Sequence, residues 1–275
     1  MTEARRPALI IVMGTSGCGK STVGLALAEA LAIPFVDGDD LHPAKNVAKM
    51  SAGHPLTDED RIPWLHRIRE DAILLTSRPG LDLLDAHPDA PPSNPARDDD
   101  PSSVPPELTL ALSRIQPASL RARAIANERG ERGRGRPRRE GVVVACSALK
   151  REYRELLRGE PTRVSTGAAE SPSSASSEPS SVVREGKHLD QEIETFFVYL
   201  QGTRTLLLNR MEQRPGHFMK ASMLDSQLAT LQEPDEASEP RVVVVALGQG
   251  EGDASRERGK EVVVDEVVTK IRHLL

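Results

Sequence analysis

The stretch that most restricts what this chain can fold into is its first apolar run, Ala8-Leu9-Ile10-Ile11-Val12-Met13, which passes directly into Gly14-Thr15-Ser16-Gly17-Cys18-Gly19-Lys20-Ser21. An unbroken apolar run rich in branched residues suits a strand covered on both faces, as in the centre of a parallel sheet. The glycines let the backbone curl so that successive N–H groups face an anion. Val23, Leu25, Leu27, Ala28, Ala30 and Leu31 then mark a helix with a broad buried face, and Pro34-Phe35-Val36 a short second strand. The spacing of G, four residues, G, K, S puts the positive end of that helix behind the curled loop, a cradle for the phosphates of a nucleoside triphosphate. In such a cradle Lys20 reaches the β- and γ-phosphates and the Ser21 hydroxyl ligates Mg²⁺.

Further apolar runs alternate with helical patterns. Gly141 to Cys146, Thr195 to Leu200 and Arg241 to Leu247 read as strands; Thr57 to Leu75, Leu149 to Leu157, Leu206 to Gln213, Met219 to Leu231 and Val262 to Leu275 read as helices. This order predicts an α/β protein of three layers, a parallel sheet of about five strands flanked by helices. The chain has 275 residues, enough for two domains, but only 3% are aromatic. Residues 78–140 and 159–192 contain no aromatic residue, and they are crowded with Pro, Ser, Asp, Gly and Arg. Such segments bury too little to offset the entropy of ordering them. We therefore expect a single domain over 1–275 interrupted by inserts at 78–140, 159–192 and 248–260, the first two adding length without core. Leu108, Leu110, Leu112 and Ile115 allow a helical piece inside the first insert, interrupted at Pro117.

Composition narrows the partners. A net charge of -5 gives no global reason to expect nucleic acid. Cys18 and Cys146 are too few for a disulfide scaffold. Ala8 to Met13 is too short for a signal-peptide core or a membrane span, so a cytoplasmic protein without membrane contact is expected. The arginines at 121, 123, 129, 132, 134, 136, 138 and 139 offer RNA or an acidic partner a surface, but no aromatic residue is interleaved for base stacking, and a solvated basic loop is the simpler reading.

Asp37-Gly38-Asp39 follows the second strand, at the sheet edge that faces the phosphate loop. One carboxylate can hold Mg²⁺ and the other accept a proton from a substrate hydroxyl, unless the pair is merely an acidic turn. Arg210 and Arg214 are four residues apart on one helix face, ahead of Pro215-Gly216-His217. Swung over the phosphates they would neutralise charge developing in transfer; otherwise they are a solvated face.

Several blocks in order then carry a family resemblance: the phosphate loop; Asp37 to Pro43; Asn46 with Lys49-Met50; Pro55 to Arg61; Pro63-Trp64-Leu65; Cys146 to Lys150 with Tyr153-Arg154; and Gly216-His217-Phe218 with Met223-Leu224 and Ser226-Gln227. Together they resemble the gluconokinases, small P-loop kinases related to shikimate and nucleoside monophosphate kinases. The resemblance implies transfer of the γ-phosphoryl of ATP, with Mg²⁺, to the 6-hydroxyl of D-gluconate, feeding the pentose phosphate pathway. It also implies an ATP site at Gly14, Thr15, Ser16, Gly17, Cys18, Gly19, Lys20 and Ser21. Asp37 falls at the position of a metal-organising carboxylate beside Ser21, Asp39 at that of the substrate-binding base, and Arg210 and Arg214 on the lid arginines. For the substrate carboxylate the candidates are Arg61, Lys150 and Arg154, in that order, because a bidentate arginine suits a carboxylate; His217 is a weaker contact. Relatives are often homodimers. The insert at 248–260 falls where relatives wrap the adenine. A related small-molecule kinase for shikimate or a nucleoside monophosphate is the second reading, and a non-catalytic nucleotide-binding regulator the third, although Lys20, Ser21, Asp37, Asp39 and both arginines are intact.

Overall fold

A computed structural model of the chain describes residues 5–77, 105–120, 140–160, 193–213, 221–249 and 256–275. Strand β1 (Ala8–Met13) leads through the glycine loop to helix α1 (Lys20–Leu31), then to β2 (Phe35–Asp37), a single 3₁₀ turn (Gly38–Leu41), α2 (Ala44–Ser51) and α3 (Asp58–Thr76). Helix α4 (Pro106–Leu112), β3 (Gly141–Ala145), α5 (Arg151–Arg158), β4 (Glu194–Gln201), α6 (Arg204–Glu212) and α7 (Ala221–Thr230) follow. The chain ends with β5 (Val242–Ala246), a short pair β6 (Gly248–Gln249) and β7 (Arg256–Glu257), and α8 (Lys260–Leu274).

Five strands form one parallel sheet in the order β2-β3-β1-β4-β5. The three-layer α/β architecture expected from the sequence is the one observed. Leu9, Ile11 and Met13 enter one hydrophobic cluster with Trp64, Leu65, Ile68, Tyr153 and Leu157; Ala8, Ile10 and Val12 enter the other with Val23, Leu27, Leu207, Val267 and Ile271. Helices α3 and α5 thus cover one face of β1, and α1, α6 and α8 the opposite face. The strand order reverses around β1, so the crevice beyond its carboxyl end receives the phosphate loop.

Helix α3 starts where its sequence says it should. Thr57 N–H donates to Asp60 Oδ2 at 2.9 Å, and Asp58, Glu59 and Asp60 occupy the first turn, where they complement the helix dipole. Pro63 lies inside α3, past the first intrahelical bond from Arg61 N–H to Thr57 O at 3.1 Å, so it forgoes the N–H that would donate to Glu59 O.

The expectation that the first insert adds no core is corrected for residues 105–120. Leu108, Ala111, Leu112, Ile115 and Leu120 are buried in the cluster of α3. Gln116 N–H donates to Phe35 O at 2.9 Å, and Phe35 N–H donates to the Ser119 hydroxyl at 3.0 Å, so this segment binds the outer edge of β2. Arg114 bridges to Asp71 of α3 at 2.6 Å. Without an aromatic residue, five buried aliphatic side chains and an edge strand's unpaired backbone suffice to order it. Within the third insert, β6 and β7 form an antiparallel pair, which Arg258 ties down through Ala246 O at 2.7 Å and Glu266 at 2.6 Å. The arginine run at 121–139 and most of the second insert lie outside the described residues. Among the described residues, no helix is long and apolar enough to cross a membrane.

Replacing Leu112 with Ala should destabilise the fold by roughly 2–5 kcal/mol, as for other fully buried leucines. A shift of the denaturation midpoint of that size would show 105–120 to be part of the cooperative core.

Candidate active site

The loop between β1 and α1 is shaped by its glycines. Gly14 (φ 140°) and Gly17 (φ 81°) lie in backbone conformations that side chains disfavour, and a Cβ on Gly17 would stand 2.8 Å from Leu207 O of α6. The loop is therefore pressed against α6 with no room for a side chain. Lys20 curls back so that its ammonium donates to Thr15 O at 3.1 Å, leaving the charge over the loop. Cys18 is buried and burial raises its thiol pKa, which makes it a packing residue with a backbone role in the cradle.

The end of β2 brings the carboxylates to this loop. Asp37 Oδ2 accepts the Ser21 hydroxyl at 2.6 Å, and its Oδ1 accepts the Asp39 N–H at 3.1 Å. One carboxylate thereby fixes both the hydroxyl on α1 and the turn that carries Asp39. Burial, and then the charge of Asp37, raise the pKa of Asp39, the direction needed of a proton acceptor. Ser21 and Asp37 are hard oxygen donors in contact, a pair that fits Mg²⁺, which takes one or two protein ligands together with phosphate oxygens and water. Among the described residues there is no cluster of three or more His, Cys, Asp or Glu to form an all-protein metal cage.

The acidic turn is held from behind. Trp64 Nε1 donates to Gly38 O at 2.7 Å, and the Trp64 ring stacks on His42 with centroids 4.1 Å apart. Burial, with the charge of Arg61, lowers His42 to a pKa of about 4, so the ring is neutral at ordinary pH. Asn46, fully buried, donates to Asp60 O at 2.9 Å and joins α2 to the start of α3.

Arg210 lies over the loop. It donates to Cys18 O at 3.3 Å and to Glu257 of β7 at 2.8 Å. Arg214 and His217 lie outside the described residues. Gln227 belongs to a sequence block that assigns it no role, but its Oε1 accepts the Ser16 N–H at 2.7 Å. No spacing rule connects a residue of α7 to this loop, so the contact could not be read from the chain.

The three basic candidates part company. Arg61 is half-buried, and its charge is felt at His42, Asp58 and Tyr153, at the mouth formed by α3 and α5. Lys150 bridges to Asp58 at 2.5 Å and to Glu152 at 3.2 Å, and Asp58 also accepts the Tyr153 hydroxyl. Arg154 is a correction to the expected substrate contacts. It is 1% exposed and paired with Glu239, Nε to Oε2 at 2.8 Å and Nη2 to Oε1 at 2.5 Å. Its Nη1 donates to Ala148 O and Leu149 O, so the guanidinium is committed to protein partners on every side.

Residues 16–63 match the shikimate kinase family model, the segment from the phosphate loop through the acidic turn to the start of α3. The gluconokinase of Gluconobacter oxydans is 31% identical over 263 residues, 96% of this chain and 90% of its own length. A probable gluconokinase of Mus musculus is 32% identical over 228 residues, 83% of this chain and 84% of its own. This chain belongs to the gluconokinase family. A crystal structure of a gluconokinase from Sinorhizobium meliloti 1021 agrees, with a TM-score of 0.55 at 31% identity, covering 98% of this chain and 94% of that one. The chain is a kinase, and the resemblance drawn from its blocks holds over most of its length. Within this gluconokinase-family fold, the Arg154–Glu239 pair joins α5 to the segment leading into β5, a structural task.

Removing one partner of a buried ion pair leaves the other charge uncompensated. Arg154→Ala should therefore cost roughly 3–5 kcal/mol of stability. In whatever fraction stays folded, the KM for the sugar-acid substrate should be unchanged; a raised KM at intact stability would restore Arg154 to the substrate site.

Proposed function

We propose that this chain transfers the γ-phosphoryl group of ATP to the 6-hydroxyl of D-gluconate, giving 6-phosphogluconate and ADP, in the cytoplasm. The observation that carries the reading is the convergence of Lys20, Ser21, Asp37 and Asp39 on one loop and turn, in a chain whose relatives are gluconokinases.

The loop amides and Lys20 bind the β- and γ-phosphates. Ser21 and Asp37 would hold Mg²⁺, which when bound screens the phosphate charge and polarises the transferring group. Asp39, kept basic by burial and by Asp37, accepts the proton of the 6-hydroxyl as that oxygen bonds to phosphorus and the bond to the bridging oxygen of ADP breaks. Arg210 neutralises charge spreading over the phosphoryl oxygens; Arg214 shares that task and His217 contacts the substrate in the same reading. Arg61 is the anchor for the gluconate carboxylate, with Lys150 beside it. Lys150 is the weaker of the two because Asp58 and Glu152 already balance its charge. An open-chain polyol with one terminal carboxylate then spans from Arg61 to Asp39. The single domain expected from the sequence is part of this proposal.

ADP release measured against gluconate, shikimate and nucleoside monophosphates tests the substrate directly: gluconate should be the preferred acceptor, and no turnover with it would remove the reading. Asp39→Asn should lower kcat by about two to four orders of magnitude, the range of general-base contributions. Arg61→Ala should raise the KM for gluconate by about tenfold or more, with the KM for ATP unchanged, as expected for a charge-assisted bond lost on one substrate.

A further inference from the structure

The N–H of Ser16 is engaged within the protein itself, because Gln227 Oε1 accepts it at 2.7 Å across 211 residues of sequence. Gln227 sits on a braced element. Leu224, one turn earlier on α7, is fully buried, and Asp225 forms a two-bond pair with Arg204 of α6, at 2.6 and 3.0 Å. Helix α6 itself presses on the loop at Gly17. The phosphate loop is thus held by α6 at Gly17 and by α7 at Ser16, and the two helices are clamped to each other.

The tether also has a place along the triphosphate. Lys20, the residue that serves the β- and γ-phosphates, rests its ammonium on Thr15 O, the carbonyl of the peptide unit whose nitrogen is Ser16 N. The backbone N–H groups of Gly19 to Ser21, at the start of α1, serve the inner phosphates. We propose that Gln227 is a positioning residue that fixes the γ-phosphate end of the loop through the Ser16 amide. A loop with this amide satisfied by the protein's own side chain does not have to reorganise when the γ-phosphoryl group is bound or transferred, which is how preorganised groups lower a barrier. The inference rests on the loop being a triphosphate site and not on the identity of the acceptor. Wild-type protein that binds nucleotide but leaves gluconate unphosphorylated would refute the substrate and leave the role of Gln227 standing.

The test compares binding of Mg²⁺ with a non-hydrolysable ATP analogue and of Mg²⁺ with ADP by calorimetry, in wild type, Gln227→Met and Gln227→Glu. The Met variant keeps the shape of the side chain and loses the acceptor. It should bind the triphosphate analogue about tenfold more weakly, the worth of one hydrogen bond, while ADP affinity stays within about twofold. Its kcat should fall with the KM for the acceptor unchanged. The Glu variant keeps an acceptor for Ser16 N–H but sets a negative charge at the γ-phosphate end, so it should also weaken the triphosphate more than ADP, and it decides the matter if the Met variant does not fold. Equal weakening of both nucleotides in the Met variant would mean a general loss of loop structure and overturn the proposal. So would affinities within about twofold of wild type for both nucleotides in both variants.

Discussion

Everything in this molecule depends on β1 being covered on both faces. Alternate residues of one six-residue strand enter two separate hydrophobic clusters, so the strand can only lie in the middle of a sheet with a helical layer on each side. Its neighbours β3 and β4 both run parallel to it, and the strand order reverses beside it. The loop that leaves β1 then emerges at the reversal, with the start of α1 behind it. The phosphate cradle is less an addition to the fold than the exit of its most buried strand.

The chemistry is assembled around a second small hub, the Asp37 carboxylate. Its two oxygens reach in different directions, to a hydroxyl on α1 and to the backbone of the turn that presents Asp39. Trp64 fixes the same turn from the α3 side through Gly38 O. Ser21 of α1, the turn carrying Asp37 and Asp39, and Trp64 of α3 therefore share a short, hydrogen-bonded frame. Burial first, and the neighbouring Asp37 carboxylate second, raise the pKa of Asp39, so the residue that holds the turn also adds to its basicity.

What could be read from the chain follows from this arrangement. The loop, the acidic turn and the capped start of α3 are local, each written in consecutive residues whose backbone needs decide their identity. The sheet followed from runs of branched residues between helical patterns. Long-range contacts left no such trace. Arg154 carries a charge suited to a carboxylate, and sequence could not say that the carboxylate would be Glu239 of the same chain. Nor does the lack of aromatic residues reveal that the aliphatic side chains of 105–120 close the edge of β2. Gln227 reached its partner only through the packing of α7 on α6. In each case a tertiary neighbour, not a local preference, set the role.

The tryptophan in the wall of the site has a practical side. It is the one indole in the 275 residues, it bonds through its N–H to the backbone between the two key aspartates, and its ring lies flat on His42. Indole emission responds to hydrogen bonding at the ring nitrogen and to quenching by a stacked imidazole. The protein consequently carries an intrinsic optical reporter placed on the acidic turn itself, with no second indole to dilute its signal.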